Sequence, residues 1–138
     1  MKIFVDTWGW LALADPNDAR HSQTVACFEE FRSRPGSVLT SNFILNETFT
    51  LLFRRSPRRE ALNFSEGLLR SAFIRIETVT EQRFLKAFDL RKKFWDKPRI
   101  SFTDLSSMAI MVELKVTDVL TADAHFSHVG FGFRMLPS

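Results

Sequence analysis

Four acidic side chains stand at positions where a parallel sheet would bring them together. Asp6 follows one short apolar run and Asp123 follows another, while Asp104 and Glu47 fall in the first turns of two predicted helices. Clustered carboxylates raise one another's pKa unless a cation offsets them. An all-oxygen set suits Mg²⁺ or Mn²⁺ better than Zn²⁺, and such ions serve phosphate chemistry. The spacing therefore indicates a divalent-metal site.

Each acid also has an ordinary structural role open to it. Asp6 can cap the helix that follows, Asp104 suits a helix first turn, and Asp123 suits a turn. Glu47 lies beside a polar stripe and can simply face solvent. The joint placement of all four beyond strand ends favours a shared site over four separate roles, because ligands of open α/β sheets bind at that edge.

Alternating strands and helices are predicted to position these acids. Strands are expected at residues 2–5, 38–40, 73–79, 119–121 and 133–136. Helices are expected at residues 8–14, 21–34, 43–55, 58–71, from 81 to a stop at 97–99, and after a cap at Ser101, with a short helical or loop segment at 124–128. Such alternation implies crossover connections. The expected fold class is α/β, a three-layer α/β/α sandwich with a central, mostly parallel sheet, formed by residues 1–138 as one domain.

The composition is that of a soluble globular chain, with 45% hydrophobic and 25% charged residues. Its net charge of +3 is too small to argue for a nucleic-acid partner. The one cysteine, Cys27, excludes a disulfide framework and a cysteine-based zinc site, and it is expected to be buried. No apolar stretch approaches the roughly 20 residues of a membrane span, so no membrane attachment and a cytoplasmic location are expected.

The order and spacing of the acids resemble the PIN-domain nucleases, most closely the VapC-type toxins of prokaryotic toxin–antitoxin pairs. The sequence segments that carry the resemblance are Ile3-Phe4-Val5-Asp6-Thr7, Glu47 after Thr40-Ser41, Thr103-Asp104-Leu105 with Ala109, and Leu120-Thr121-Ala122-Asp123 with His125-Phe126. The resemblance spans nearly the whole chain. It departs at Trp8, where the family often has a small polar residue, and at Ala122, where a polar or basic residue is frequent.

The resemblance implies a Mg²⁺- or Mn²⁺-dependent endoribonuclease, the toxin of a type II pair, that cuts RNA to leave a 3′-hydroxyl and a 5′-phosphate. It also implies a homodimer and a cognate antitoxin that threads a segment across the acidic site. Asp6, Asp104 and Asp123 would be the principal metal ligands, and Glu47 would bind the ion directly or through water. Thr7 and Thr121 would orient these carboxylates.

Alternative interpretations remain beside this one. A catalytically silent PIN-like module that binds RNA or a partner protein would keep the same fold. A response-regulator receiver fits poorly, because it needs paired acids after the first strand and a lysine after the last. A metal site that includes His125 and His128 is disfavoured, because the other candidate ligands are all oxygen.

The basic residues Arg54, Arg55, Arg58 and Arg59 have two interpretations. They are either a solvated charged face or a rim that contacts RNA phosphates beside the acidic centre.

The aromatic residues, 15 Phe and 3 Trp without Tyr, favour a core or a subunit interface. Trp8 and Trp10 could stack on bases, but packing in the core or at a dimer contact is favoured. Leu85 and three aromatic residues at helical spacing are predicted to face the core: Phe84, Phe88 and Trp95.

Overall fold

Five short strands form the centre of the molecule in a computed structural model that describes residues 1–138. They are β1 (Ile3–Val5), β2 (Val38–Ser41), β3 (Ile74–Glu77), β4 (Asp118–Leu120) and β5 (Arg134–Leu136). They pair in the order β3-β2-β1-β4-β5, and every pair is parallel. All carboxyl ends therefore share one edge, with β1 and β4 adjacent in the middle.

Six helices cover the sheet: α1 (Thr7–Ala14), α2 (His21–Phe31), α3 (Asn42–Arg55), α4 (Arg58–Arg70), α5 (Glu81–Lys93) and α6 (Phe102–Leu114). A 3₁₀ turn, Ala124–Ser127, follows β4. Strand order advances from β1 to β3 and then returns past β1 to β4, so right-handed crossovers place α1–α4 on one face and α5 and α6 on the other. This confirms the three-layer prediction, with element ends that differ by a few residues. No helix combines the length and apolar character needed to cross a bilayer.

The core on the α1–α4 face is built around Trp10, which is fully buried. Its indole N–H donates to Thr40 Oγ1 at 3.0 Å, and the Thr40 hydroxyl donates in turn to the carbonyl of Val5 at 3.0 Å. The ring packs edge-on against Phe28 at 6.0 Å between centroids. Packing rather than base stacking is thus confirmed for Trp10. Cys27 is also buried, as expected, and burial raises the pKa of its thiol.

The predicted inner face of α5 is wrong. Phe84 and Phe88 are 45% and 49% exposed, and Leu85 and Trp95 are more exposed still. The helix instead turns Ala87 and the stems of two arginines inward. The Arg91 guanidinium donates to the carbonyls of residues 94, 97 and 100. These hydrogen bonds allow the charged Arg91 side chain to lie on the inner face of α5. The apolar side chains of Phe84, Leu85 and Phe88 therefore face outward.

Candidate metal centre

The four predicted acids meet at the carboxyl edge of the sheet. They line one cleft of about 460 Å³, which we call the acidic cleft, together with Thr7, Trp8, Leu11, Leu51, Arg55 and Ala122. Asp6 and Asp123 come from the ends of adjacent strands, while Glu47 and Asp104 come from α3 and α6. The structure therefore brings together all four residues that sequence reasoning selected.

Asp6 is held by both of its carboxylate oxygens. The Gly9 N–H donates to Oδ1 at 3.0 Å as part of the α1 cap, and the Thr121 hydroxyl donates to Oδ2. The pKa of this carboxyl is raised to about 7, mainly by burial and also by the charges of Asp123 and Glu47, while the two hydrogen bonds act to lower it. Asp6 thus caps the helix and also belongs to the acidic cleft.

Gly9 permits this arrangement because α1 lies very close to the sheet. A Cβ atom at this position would lie 2.7 Å from the Leu120 carbonyl oxygen and 2.8 Å from Val5 Cγ1. Neither contact is tolerable, and the first is with backbone that cannot rotate away. Glycine is required here for close approach, and the approach sets the position of the Asp6 cap.

Asp104 sits at the start of α6, where the Ser101 hydroxyl caps the helix by accepting from the Asp104 N–H at 3.0 Å. Its own carboxylate is free to face Asp123. The pKa of Asp104 is raised to about 8, mainly by burial and also by the hydrogen bond and the charge of the neighbouring Asp123 carboxylate. Two acids of the cleft thus hold protons near neutral pH unless a cation is present.

Asp123 is oriented by its neighbours in the chain. Its N–H donates to Thr121 Oγ1 at 2.9 Å, and its Oδ1 accepts from the His125 N–H at 2.9 Å. Because the same Thr121 hydroxyl donates to Asp6, it ties two acids into one hydrogen-bonded chain. Thr121 therefore fixes Asp6 and Asp123 relative to each other, and its orienting role at a metal stays a prediction.

Glu47 and Thr7 differ from these residues. Glu47 is exposed at the cleft mouth. Thr7 is more than nine-tenths buried, but its hydroxyl has no hydrogen-bond partner. The structure therefore places Thr7 in the cleft without showing the contact to a carboxylate that was predicted.

His125 is the residue that sequence reasoning did not place in the centre. Its Nδ1 lies 3.1 Å from Asp123 Oδ1 and 3.7 Å from Asp104 Oδ2. One ligand atom from each of these three residues lies within 4.8 Å of the others. The D-x-H spacing was a signal for it, because a 3₁₀ turn folds the ring back over the acid two residues earlier.

No lysine or arginine forms an ion pair with any of the four acids. Raised carboxyl pKa values, an unpartnered buried hydroxyl and converging oxygen donors are what a divalent cation would relieve. The residues present fit such an ion.

The four arginines do not act as one group. All are exposed, and none of them forms an ion pair. Arg55 lines the acidic cleft, whereas Arg54, Arg58 and Arg59 do not. Only part of the predicted basic rim therefore borders the acids.

Residues 3–132 match the PIN domain. The chain is 36% identical over 135 residues to the 23S rRNA-specific endonuclease VapC20 of Mycobacterium tuberculosis, covering 94% of this chain and 95% of that protein. It is 28% identical over 129 residues to a VapC ribonuclease of Archaeoglobus fulgidus, covering 92% and 80%.

Solved structures agree with these relatives. The crystal structure of Mycobacterium tuberculosis VapC20, described as a sarcin–ricin loop cleaving toxin, matches with a TM-score of 0.81 at 34% identity over 94% of this chain and 96% of that chain. VapBC2 from Rickettsia felis, bound to a promoter DNA fragment, matches with a TM-score of 0.76 at 12% identity over 98% and 97%, which shows the shared fold. The chain belongs to the PIN-domain family, and its relatives are VapC toxin ribonucleases.

Proposed function

We propose that this protein is a Mg²⁺- or Mn²⁺-dependent endoribonuclease that acts in the cytoplasm as the toxin of a type II toxin–antitoxin pair. The observation that carries the proposal is the acidic cleft, where four carboxylates converge and none of them forms an ion pair with a lysine or an arginine. The relatives named as ribonucleases support RNA as the substrate. An active site of this kind also argues against the silent-module alternative.

Asp6, Asp104 and Asp123 would hold the ion, because they are the more enclosed acids of the cleft. When bound, the ion would lower the pKa of water and offset charge on the phosphate. Thr121 keeps Asp6 and Asp123 in register through its two hydrogen bonds. Glu47, exposed at the mouth, would accept a hydrogen bond from the attacking water and orient it toward phosphorus.

Hydrolysis in this site adds the water oxygen to phosphorus and breaks the bond from phosphorus to O3′. The products are a 3′-hydroxyl on one fragment and a 5′-phosphate on the other, and the proton of the water passes to solvent or to the leaving oxygen. Arg55 at the cleft edge would contact a flanking phosphate.

The test is cleavage of 23S rRNA and of a mixed RNA pool with Mn²⁺, with Mg²⁺ and with EDTA. Asp104→Asn keeps the side-chain volume but removes a charged ligand, and it should lower the cleavage rate by roughly a hundredfold or more. Asp96→Asn, at an exposed aspartate that follows α5, is the matched control and should cleave normally. Cleavage that survives EDTA and Asp104→Asn would contradict the proposal.

A homodimer is also proposed, with a second copy of this chain covering the outer face of α5. Phe84, Leu85 and Phe88 are exposed there, and Val112 of α6 is 52% exposed beside an apolar cleft of about 460 Å³. That cleft is bordered by both signs of charge: Lys86, Lys93, Asp89 and Glu113. Mixed charge around an apolar patch suits a self-complementary two-fold interface.

Molar mass by light scattering tests the dimer. Phe88→Glu should convert it to a monomer, whereas Phe53→Glu, at an apolar residue 44% exposed on α3, should leave it unchanged. A wild-type monomer would exclude the second copy. The antitoxin is tested separately, by co-expression with a short DNA-binding protein encoded next to this gene, which should suppress cleavage.

A further inference from the structure

His125 is the one nitrogen donor in an otherwise oxygen-lined centre. Its Nδ1 is buried and has no hydrogen-bond partner, although two carboxylates lie beside it. The other two histidines have different surroundings. His21 Nδ1 lies 2.8 Å from the Ala12 carbonyl, and His128 is exposed. The unpartnered nitrogen is therefore specific to the ring that faces the acids.

The spacing of the donor atoms suits ligands of one ion. Adjacent ligands of an octahedral ion with bonds of about 2.1 Å lie about 3.0 Å apart. The Nδ1 atom is 3.1 Å from Asp123 Oδ1, close to that separation, and 3.7 Å from Asp104 Oδ2, which lies between the separations of adjacent ligands and of opposite ligands at about 4.2 Å. The backbone at His125 is also held against this acid, because the main-chain N–H of His125 donates to the same Asp123 Oδ1.

A second unpartnered polar atom belongs to Thr7, which lines the acidic cleft together with the two acids beside His125. The Thr7 hydroxyl is buried without a partner, as the His125 nitrogen is. Two unpartnered polar atoms around one group of acids are unusual, since buried polar groups nearly always have partners. A hydrated cation would supply partners for both.

The nature of the donor decides which ion is favoured. Mg²⁺ takes oxygen ligands almost exclusively, and an imidazole nitrogen gains it little. First-row transition ions accept nitrogen readily. An imidazole ligand would therefore shift selectivity away from Mg²⁺ without excluding it.

We propose that His125 Nδ1 is a direct ligand of the catalytic ion, which makes the centre a mixed nitrogen–oxygen site that prefers Mn²⁺ to Mg²⁺. This inference rests on the proposed metal-dependent function. It adds a nitrogen ligand, His125, to the four carboxylates of the proposed metal site.

Electron spin-echo spectroscopy of the Mn²⁺-loaded protein tests the ligand directly and does not depend on activity. The wild type should show a ¹⁴N coupling that becomes a ¹⁵N coupling when histidine rings are labelled with ¹⁵N. His125→Ala should lose the coupling. His128→Ala is the matched control and should keep it, because that ring is the neighbour of His125 at 6.1 Å between centroids but is exposed.

Calorimetry measures selectivity on the same variants. His125→Ala should weaken Mn²⁺ binding by roughly tenfold or more and Mg²⁺ binding by less than about threefold. Equal losses for the two ions, or a nitrogen coupling that persists in His125→Ala, would overturn the inference.

The labelled wild type separates this inference from the proposed function and needs no variant to fold. Mn²⁺ bound without a histidine coupling contradicts the ligand role of His125 and leaves the metal-dependent nuclease intact. Failure of the wild type to bind either ion contradicts both.

Discussion

Two acids of this protein, Asp6 and Glu77, are buried to the same degree but are held in opposite ways. Asp6 is 4% exposed and Glu77 is 5% exposed, and each lies at the carboxyl end of a strand. Glu77 accepts from Arg83 at 2.9 Å, and Arg83 also makes two hydrogen bonds to Glu113. Asp6 has no cationic partner at all. We call the group formed by Arg83, Glu77 and Glu113 the Arg83 network.

The presence or absence of an ion-paired cationic side chain distinguishes the structural acids of the Arg83 network from the acids of the acidic cleft. In the Arg83 network the guanidinium holds the pKa of the Glu113 carboxyl below its usual range, so the charges are settled within the protein. In the acidic cleft the pKa values of Asp6 and Asp104 are raised, mainly by burial. A bound cation would favour the charged forms of both carboxyls. A neutralised acid at a strand end ties helices to the sheet, whereas an unneutralised one marks a binding centre.

The largest effect is expected when a positively charged side chain is introduced into the acidic cleft, as the Arg83 network already has. Glu47→Lys should lower RNA cleavage by roughly a thousandfold, because it removes one carboxylate and repels the ion. Glu47→Gln, which only removes charge, should lose less. The measurement is the cleavage rate at saturating Mn²⁺. A Glu47→Lys protein as active as Glu47→Gln would show that charge at this position does not matter.

Removing the cation from the Arg83 network should cost stability instead of activity. Arg83→Met leaves the buried Glu77 carboxylate with only the half-exposed Arg75 as a partner, and we expect a loss of about 1.5–3 kcal/mol in the free energy of unfolding. Urea titration measures it. Arg70→Met is the matched control, since its exposed pair with Glu66 should contribute less than about 1 kcal/mol. Mn²⁺ affinity should stay unchanged in folded Arg83→Met.

The two groups should also respond differently to pH. Asp6 and Asp104 have folded pKa values near 7 and 8, above their unfolded value of 3.8. The folded metal-free protein therefore binds more protons than the unfolded chain between about pH 4 and 8, so its stability should fall by a few kcal/mol as pH rises through that range.

Saturating Mn²⁺ should flatten or reverse that slope, since the ion replaces the protons. Asp6→Asn should make the metal-free slope shallower. Urea titrations at pH 5, 6, 7 and 8 measure both effects. A metal-free protein that is most stable at pH 8 would contradict the raised pKa values.

The smallest effect is expected at the edge of the acidic cleft. Arg55→Ala should weaken RNA binding modestly and lower the slope of log affinity against log salt by about 1. Arg59→Ala, four residues further along the chain but outside the cleft, should change neither quantity. Equal effects of the two changes would favour a general basic face.

Much of the fold and of the acidic cleft could be predicted from the sequence. Short apolar runs that end at an acid identify a buried strand and its functional edge together, as at Asp6. Parallel topology then brings distant acids together without any further information. The four acids needed only the positions of their strands and helices, which periodicity supplies.

The parts that could not be predicted depend on which side chain faces which. Periodicity showed an apolar stripe on α5 but not that Arg83 and Arg91 would occupy the inner face. The Arg83 network was missed for the same reason, because Glu77 and Glu113 are brought together only by packing. His125 was placed outside the centre because the other candidate ligands are all oxygen, and the spacing alone does not show that a 3₁₀ turn brings its ring to Asp123.

The hydrogen bond between Thr121 and Asp6 joins an early part of the chain to a late part. It joins residues 115 positions apart and lies between the two middle strands of the sheet. A nascent chain that has not yet produced β4 has neither Asp123 nor the partner of Asp6, and its central strand lacks one neighbour. Chains that end before β4 therefore lack Thr121 and Asp123, two of the residues that complete the acidic cleft around Asp6.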